Sequence, residues 1–269
     1  MTKVSKSGYY KWLKRRGQQA RDYEDFLLIK RIFDKGKKKL GWRSIQMRLK
    51  NDHKIIMNHK KIRRIMNRYG LFCQARRKNP YKQIMKKTQE HHTFENILNR
   101  NFDQAVPKKA LCTDITYLYY GVGRKAYLSV IKDIATGEAL SWELSVTIDL
   151  EFVLKTVDRL GSLELSPDAL IHSDQGVHYT HPLYIEKVKE LNILQSMSRK
   201  GNCIDNSPME SFFGHLKDEL EFKACRTFEE LIVKVDEYMQ YYNHHRYQWG
   251  LKKMTPVQYR DHLLAACAA

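Results

Sequence analysis

The sequence predicts an α/β chain: a mixed sheet with flanking helices, preceded by an all-α module. Three observations lead there. Between residues 110 and 146, runs rich in β-branched and aromatic residues are broken by Gly121, Gly123 and Gly137, the pattern of consecutive strands joined by tight turns. From residue 150 onward, helical segments alternate with short apolar ones, which adds strands whose faces are covered by helices. Residues 24–70 instead carry apolar side chains mainly at helical spacing.

In chain order, Phe26, Leu27, Ile29, Ile32 and Phe33 mark a first helix over 24–39, stopped by Gly36-Lys37-Lys38-Lys39. A second runs from Ser44, as N-cap, to Lys50, and Asn51-Asp52-His53 turns the chain. A third follows Asn58 through Ile62, Ile65 and Met66, with Gly70 at its C′ position. Its other face bears Lys60, Lys61, Arg63, Arg64 and Arg68. Three short helices with a basic last one fit a helix-turn-helix module, or an ordinary bundle with a basic surface. Strands are expected at 110–120, 125–135, 138–146, 169–172 and 194–197, and helices at 150–160, 183–191, 207–220 and 228–242. The resulting division is a basic segment at 1–23, a helical module at 24–78, a linker at 79–107, an α/β core at 108–225 and a helical extension at 226–269.

Charge separates these parts. Residues 1–110 hold 31 Lys and Arg against 8 Asp and Glu, a net of +23, whereas residues 111–269 carry −5. Such an excess in the first part points to a polyanion, with nucleic acid favoured over a membrane surface. No stretch approaches the roughly 20 apolar residues of a membrane span, and the start has no apolar h-region. Cys73, Cys112, Cys203, Cys225 and Cys267 are far apart and include no C-x-x-C pair, which argues against a disulfide framework or a Cys-rich zinc site. No G-x-x-x-x-G-K-[ST] loop is present, so ATP is not expected.

Three carboxylates are candidates for chemistry. Asp114 lies mid-strand, where Asp is depleted, although a solvent-facing position would also accommodate it. Asp174 follows the strand Leu170-Ile171-His172-Ser173; strand ends feed sites, and turns also use Asp. Glu210 follows Ser207-Pro208-Met209 and fits either a metal ligand or the third residue of a capping box. A strand Asp, a strand-end Asp and a helical Glu suit Mg²⁺, a hard cation that takes oxygen ligands for phosphoryl transfer.

The pattern Thr113-Asp114-Ile115-Thr116-Tyr117, then His172-Ser173-Asp174-Gln175-Gly176, then a gap of 35 residues to Glu210, resembles the D-D-35-E core of retroviral-type integrases and insertion-sequence transposases. The segment from Ser196 to Phe213, with Arg199-Lys200-Gly201-Asn202 and Asp205-Asn206-Ser207-Pro208-Met209-Glu210, resembles the OrfB-type transposases of the third insertion-sequence family. Tyr241-Tyr242-Asn243, Arg246 and Thr255-Pro256 resemble that family's C-terminal end. The resemblance spans about residues 24–260; Ile204 and Cys112 depart from the expected residues.

That resemblance implies a ribonuclease H-like core, Mg²⁺ or Mn²⁺, and DNA cleavage and strand transfer without a covalent protein–DNA intermediate. Asp114, Asp174 and Glu210 become catalytic residues and metal ligands, Lys217 a phosphate contact, and Asn206 a shaper of the loop before Glu210. Lys60, Lys61, Arg63 and Arg64 become DNA contacts of the third helix. Double-stranded DNA, as element ends and target, is the expected partner, bound by a homo-oligomer in the bacterial cytoplasm at the nucleoid. A chain starting at Met1 is expected to be the downstream product, with an upstream-frame subunit as a further partner. A nuclease that cuts without joining, and a DNA-binding regulator, are the two rival readings.

Overall fold

The computed structural model describes residues 5–15, 22–73 and 93–267. The chain divides into two compact units, residues 1–74 and 75–269. Much of the expected linker, and parts of the basic N-terminal segment, lie outside the described residues.

The first unit contains α1 (Lys6–Arg15), α2 (Tyr23–Lys35), α3 (Trp42–Asn51) and α4 (His59–Arg68). Ile29, Ile32 and Phe33 of α2 pack with Ile45 and Leu49 of α3 and with Ile62, Ile65 and Met66 of α4. These are the apolar positions that the helical spacing singles out. The Asn58 side chain caps α4 by accepting from the Lys60 amide at 2.8 Å. Gly70 follows α4 at φ +66°, a backbone that glycine adopts without strain. Ser44 is not a cap: α3 begins at Trp42 behind Gly41, and the Ile45 amide closes the first turn on the Gly41 carbonyl. The helix α1 is unforeseen, because its sequence offers little besides Tyr9, Tyr10, Trp12 and Leu13 among basic and small residues.

In the second unit, β1 (Ala110–Tyr120), β2 (Arg124–Asp133) and β3 (Ala139–Ser145) form an antiparallel meander. After α5 (Leu150–Asp158), β4 (Leu170–Ser173) returns to lie parallel to β1; after α6 (Pro182–Glu190), β5 (Leu194–Met197) lies parallel to β4. The sheet order is β3-β2-β1-β4-β5. Then come α7 (Ser207–Glu219), α8 (Phe228–His244) and α9 (Pro256–Cys267). This is the expected mixed sheet with flanking helices.

Each face of the sheet has its own core. Cys112, Leu118, Leu128 and Val130 meet Met209, Phe212 and Leu216 of α7 and Leu231, Val235 and Met239 of α8. Leu111, Ile131, Ile171 and Met197 meet Phe152 and Val157 of α5 and Tyr184 and Val188 of α6. Adjacent β1 residues such as Leu111 and Cys112 therefore serve opposite cores, as strand alternation requires. Residues 93–107, assigned to the linker from sequence, are bound to this unit: Leu98 is buried and its amide donates to Ser196 Oγ at 3.2 Å. No helix among the described residues is long and apolar enough to cross a membrane.

The C-terminal motif is a clamp. Asn243 Oδ1 accepts from the Ala139 amide and its Nδ2 donates to the Ala139 carbonyl, both at 2.9 Å and buried. Arg246 donates to Glu219 from Nε and Nη2, one edge of its guanidinium, at 2.8 to 3.0 Å. Thr255 Oγ1 accepts from the Gln258 amide at the start of α9, and Arg260 reaches Glu138 at 2.8 and 3.0 Å. The replacement Asn243→Leu orphans two buried backbone groups at the start of β3. It is expected to lower unfolding free energy by roughly 2–4 kcal/mol, read as an earlier urea midpoint with the m-value unchanged.

Candidate active site

Parallel pairing of β1 with β4 sets Ala110 beside Leu170, Leu111 beside Ile171 and Cys112 beside His172. Continued by two residues, this register sets Asp114 level with Asp174. Neighbouring strands lie about 4.8 Å apart, so two carboxylate-bearing residues from distant parts of the sequence stand level on adjacent strands, where β4 ends. The ring of Tyr179 is buried beside them. Burial raises its hydroxyl pKa well above the ordinary range, and the negative charges of Asp114 and Asp174 push it further the same way.

Local hydrogen bonds orient both carboxylates. Asp114 Oδ1 accepts from the Ile115 amide at 2.7 Å, and Asp174 Oδ1 from the Gly176 amide at 2.9 Å. A Cβ at residue 176 would stand 2.7 Å from Asp174 Oδ1, so a side chain there would push the carboxylate from this position. Because β4 pairs with β1 only at residues 110–112, the edge of β1 from Asp114 onward is left open on the β4 side.

The segment leading to α7 meets β1 at this opening. Asn206 Nδ2 donates to the Thr113 carbonyl at 3.2 Å, one residue before Asp114. Asn206 is itself the N-cap position of α7, with Ser207 already helical. Glu210 is therefore one residue too far along for the capping box expected from Ser207, and neither Asn206 nor Ser207 makes a side-chain cap. Instead, Glu210 is exposed on the first turn, without a hydrogen bond or ion pair among the described residues. Lys217, two turns further on, holds its Nζ 4.7 Å from the centre of the Tyr117 ring. Among the described residues, no three His, Cys, Asp or Glu side chains converge closely enough to hold a metal ion.

A second carboxylate network, which the sequence reading did not separate from its motif, braces the loop before α7. Asp205 is fully buried; it accepts from the Arg199 amide and guanidinium at 2.8 to 3.0 Å, from Arg100 at 2.7 Å and from Asn96 at 3.0 Å. The Arg199 bonds, followed by those of Arg100, hold its carboxyl far below the usual range. Nearby, His172 links β4 to the end of β5 by contacts to Ser196 Oγ and Ser198 Oγ at 2.9 and 3.1 Å. Burial lowers its pKa to about 4, so it is neutral at pH 7.

On α4, the basic residues divide between two faces. Lys61 pairs with Asp25 at 2.6 Å, and Arg64 and Arg68 reach the buried Asp22, the N-cap residue of α2, at 3.4 and 3.3 Å. Lys60 and Arg63, three residues apart, are exposed, and the Arg63 guanidinium lies 5.9 Å from the Trp42 ring centre. The spacing of the sequence identifies the basic helix but does not show which of its cations are tied to α2.

Comparison with known proteins agrees with this division. Residues 20–79 match an HTH-like domain, and residues 104–203 and 210–264 match two models of an integrase core domain. A transposase-like protein of Haemophilus influenzae is 38% identical over 78% of this chain and 96% of its own length. The transposase InsK, named for insertion sequence element IS150 of Escherichia coli, is 33% identical over 96% of this chain and 90% of its own. InsF, the transposase for insertion sequence IS3A of the same organism, is 27% identical over 98% and 92%. Among solved structures, the HTLV-2 integrase catalytic core domain in complex with magnesium aligns with a TM-score of 0.46 at 16% identity, covering 58% of this chain and 97% of that one.

The Asp205 network yields a pH-dependent prediction. A carboxyl whose pKa is depressed by folding contributes stability above its unfolded pKa, near 4, and loses it as pH falls below that value. Asp205→Asn is expected to be less stable than the parent at pH 7, with the gap narrowing at pH 3.5. Urea midpoints at the two pH values check this; an equal gap at both would contradict an ionic role.

Proposed function

The chain belongs to the IS3 family of insertion-sequence transposases, and from that premise we propose that Asp114, Asp174 and Glu210 are its catalytic carboxylates. It is an enzyme of DNA recombination, a polynucleotidyl transferase with an integrase core. The observation that carries the assignment is that Asp114, within β1, falls level with Asp174 just past the end of the adjacent β4, with the Glu210 helix stitched to the residue before Asp114.

The donor set fits a hard divalent cation. Carboxylate oxygens come from Asp114 and Asp174, and Glu210 has no competing partner among the described residues. Mg²⁺ or Mn²⁺ held by these residues would supply Lewis acidity to the phosphodiester and lower the pKa of the attacking hydroxyl. The rest of the chemistry falls to the chain. In cleavage, a water oxygen bonds to phosphorus as the bond to the 3′-oxygen breaks, leaving a 3′-OH and a 5′-phosphate. In strand transfer, that 3′-oxygen bonds to a target phosphorus and displaces the target's 3′-oxygen. One phosphoester replaces another in the second step, so no ATP is required. The Asn206 bond fixes where α7 starts, Gly176 leaves room for the Asp174 carboxylate, and Lys217 offsets phosphate charge near the opening.

The first unit binds double-stranded DNA through α4. Lys60 and Arg63 face outward to reach bases or backbone, while Lys61 and Arg64 add positive potential from positions held to α2. Element ends and target DNA are the substrates. A homo-oligomer brings the ends together in the bacterial cytoplasm, at the nucleoid, and an upstream-frame subunit contributes to end recognition. The division into residues 24–78 for DNA binding, 108–225 for catalysis and 226–269 as a helical extension follows the same reading.

Two experiments test these assignments. In a cleavage and strand-transfer assay with Mg²⁺ or Mn²⁺, Glu210→Gln is expected to lose product while retaining fold and DNA affinity. The loss should exceed the roughly 10–100-fold that partners of a ligand are worth. Parent-like activity would remove Glu210 from the triad, and cleavage without joining by the parent would favour the nuclease reading. Separately, Lys60→Ala with Arg63→Ala should weaken binding to element ends and reduce the slope of log affinity against log salt by up to about 2. An unchanged slope would move the DNA-reading surface off this face.

A further inference from the structure

The exposed end of the β1–β2 ribbon carries a cluster that the carboxylate site does not use. Tyr117 lies directly opposite Tyr127, and Tyr119 opposite Lys125, so these four side chains share one face of the ribbon. The Lys125 Nζ sits 4.8 Å from the centre of the Tyr117 ring and 4.7 Å from that of Tyr127. From α7, the Lys217 Nζ sits 4.7 Å from the same Tyr117 ring. Tyr119 stands edge-on to Tyr117 at 5.4 Å and is 51% exposed. Thus two ammonium groups from separate elements are held against one tyrosine.

The arrangement is ordered rather than a loose surface. The ribbon turns through Gly121 and Gly123 at φ +53° and +73°, and the Gly121 amide donates to the Cys225 carbonyl at 2.8 Å. Lys125 is exposed, and no carboxylate pairs with it among the described residues. Attraction to a ring face orients a lysine without neutralising it, so its charge remains available to an anion. Lys217 reaches Tyr117 because β4 leaves that edge of β1 open. Tyr117 is three residues beyond Asp114, about 10 Å along the strand and on the opposite face of β1; Lys217, from the helix packed on the Asp114 face, bridges the two by reaching the Tyr117 ring.

We propose that Lys125 and Lys217, positioned by Tyr117 and Tyr127, form a phosphodiester clamp for the DNA strand flanking the scissile phosphate. The proposal rests on the carboxylate reading of the neighbouring site and assigns the strand beside it. Lys125 is the new element, since neither its position in the sequence nor the carboxylate spacing marks it. Its role is positional: it grips backbone and takes no part in bond exchange.

The test uses the full chain and an element-end duplex, with affinity measured from about 50 to 200 mM salt without divalent metal. Loss of one phosphate contact lowers the slope of log affinity against log salt by about 0.9. Lys125→Ala is expected to show that decrease and to bind about 3–10-fold more weakly at the upper salt, while Lys125→Arg retains parent slope and affinity. Lys189→Ala, which removes an exposed lysine of α6 with no ring contact, is expected to leave both unchanged. Parent-like slope in Lys125→Ala, or an equal decrease in Lys189→Ala, would overturn the clamp. The strand-transfer assay of Glu210→Gln separates the two readings. An active Glu210→Gln with a lowered slope in Lys125→Ala removes the triad and keeps the clamp; an inactive one with a parent-like Lys125→Ala does the reverse.

Discussion

The short parallel pairing of β1 with β4 is the constraint on which the site depends. Three register pairs bring Asp114 beside Asp174 across 60 residues of chain, and the shortness of β4 leaves the rest of β1 open on that side. A longer β4 would satisfy more backbone groups, but it would also close the edge against which α7 begins and around which Lys217 reaches Tyr117. The unsatisfied edge is partly taken up by Asn206, whose amide replaces a strand partner at Thr113. Buried backbone carbonyls need partners, so this bond fulfils a folding requirement and sets the start of α7 at once.

Placing Glu210 then becomes a matter of bracing the loop before it. That loop carries Arg199, Lys200 and Gly201 and has little apolar material to hold it still. Asp205 does so with five side-chain or backbone donors drawn from the loop itself and from residues 96–100. A buried carboxylate without such donors would cost several kcal/mol, so the arginines and the aspartate are mutually required. On the far side, Arg246 and Glu219 tie the end of α8 to the end of α7, which fixes the same helix at its other terminus.

Much of this was legible because the determinants are local. A run of β-branched and aromatic residues ending at Gly121 marks β1 with both ends correct, and Asn58 and Gly70 bracket α4 as cap residues do. The resemblance to the D-D-35-E core singled out the three carboxylates, but the register that sets Asp114 level with Asp174 depends on sheet order, which one sequence does not encode in any local pattern. The capping-box alternative for Glu210 failed for a similar reason. Asn206 was drawn to Thr113 by a tertiary bond, and the helix began one residue earlier than Ser207 would set it. The helix α9 escaped notice because its apolar residues make no stripe; it is held instead by the Thr255 cap and by Arg260 on Glu138. The pairing of Lys61 with Asp25 and of Arg64 with Asp22 was hidden in the same way, since opposite charges on two helices carry no sequence register.

Charge distribution explains why such an enzyme needs more than its carboxylates. The proposed site of three acidic side chains would repel the phosphates it must receive until cations intervene, and residues 111–269 carry a net −5. The net +23 of residues 1–110 supplies attraction that does not depend on base sequence, which gathers DNA without aligning any one phosphodiester. Alignment requires cations fixed in direction near the carboxylates. A lysine on a flexible stem gains that direction only from its neighbours, and in the second unit aromatic rings provide them. Lys125 and Lys217 lean on Tyr117, and no carboxylate among the described residues pairs with Lys125. Attraction and alignment are therefore carried by different residues, the first by number of charges and the second by the rings that hold two of them in place.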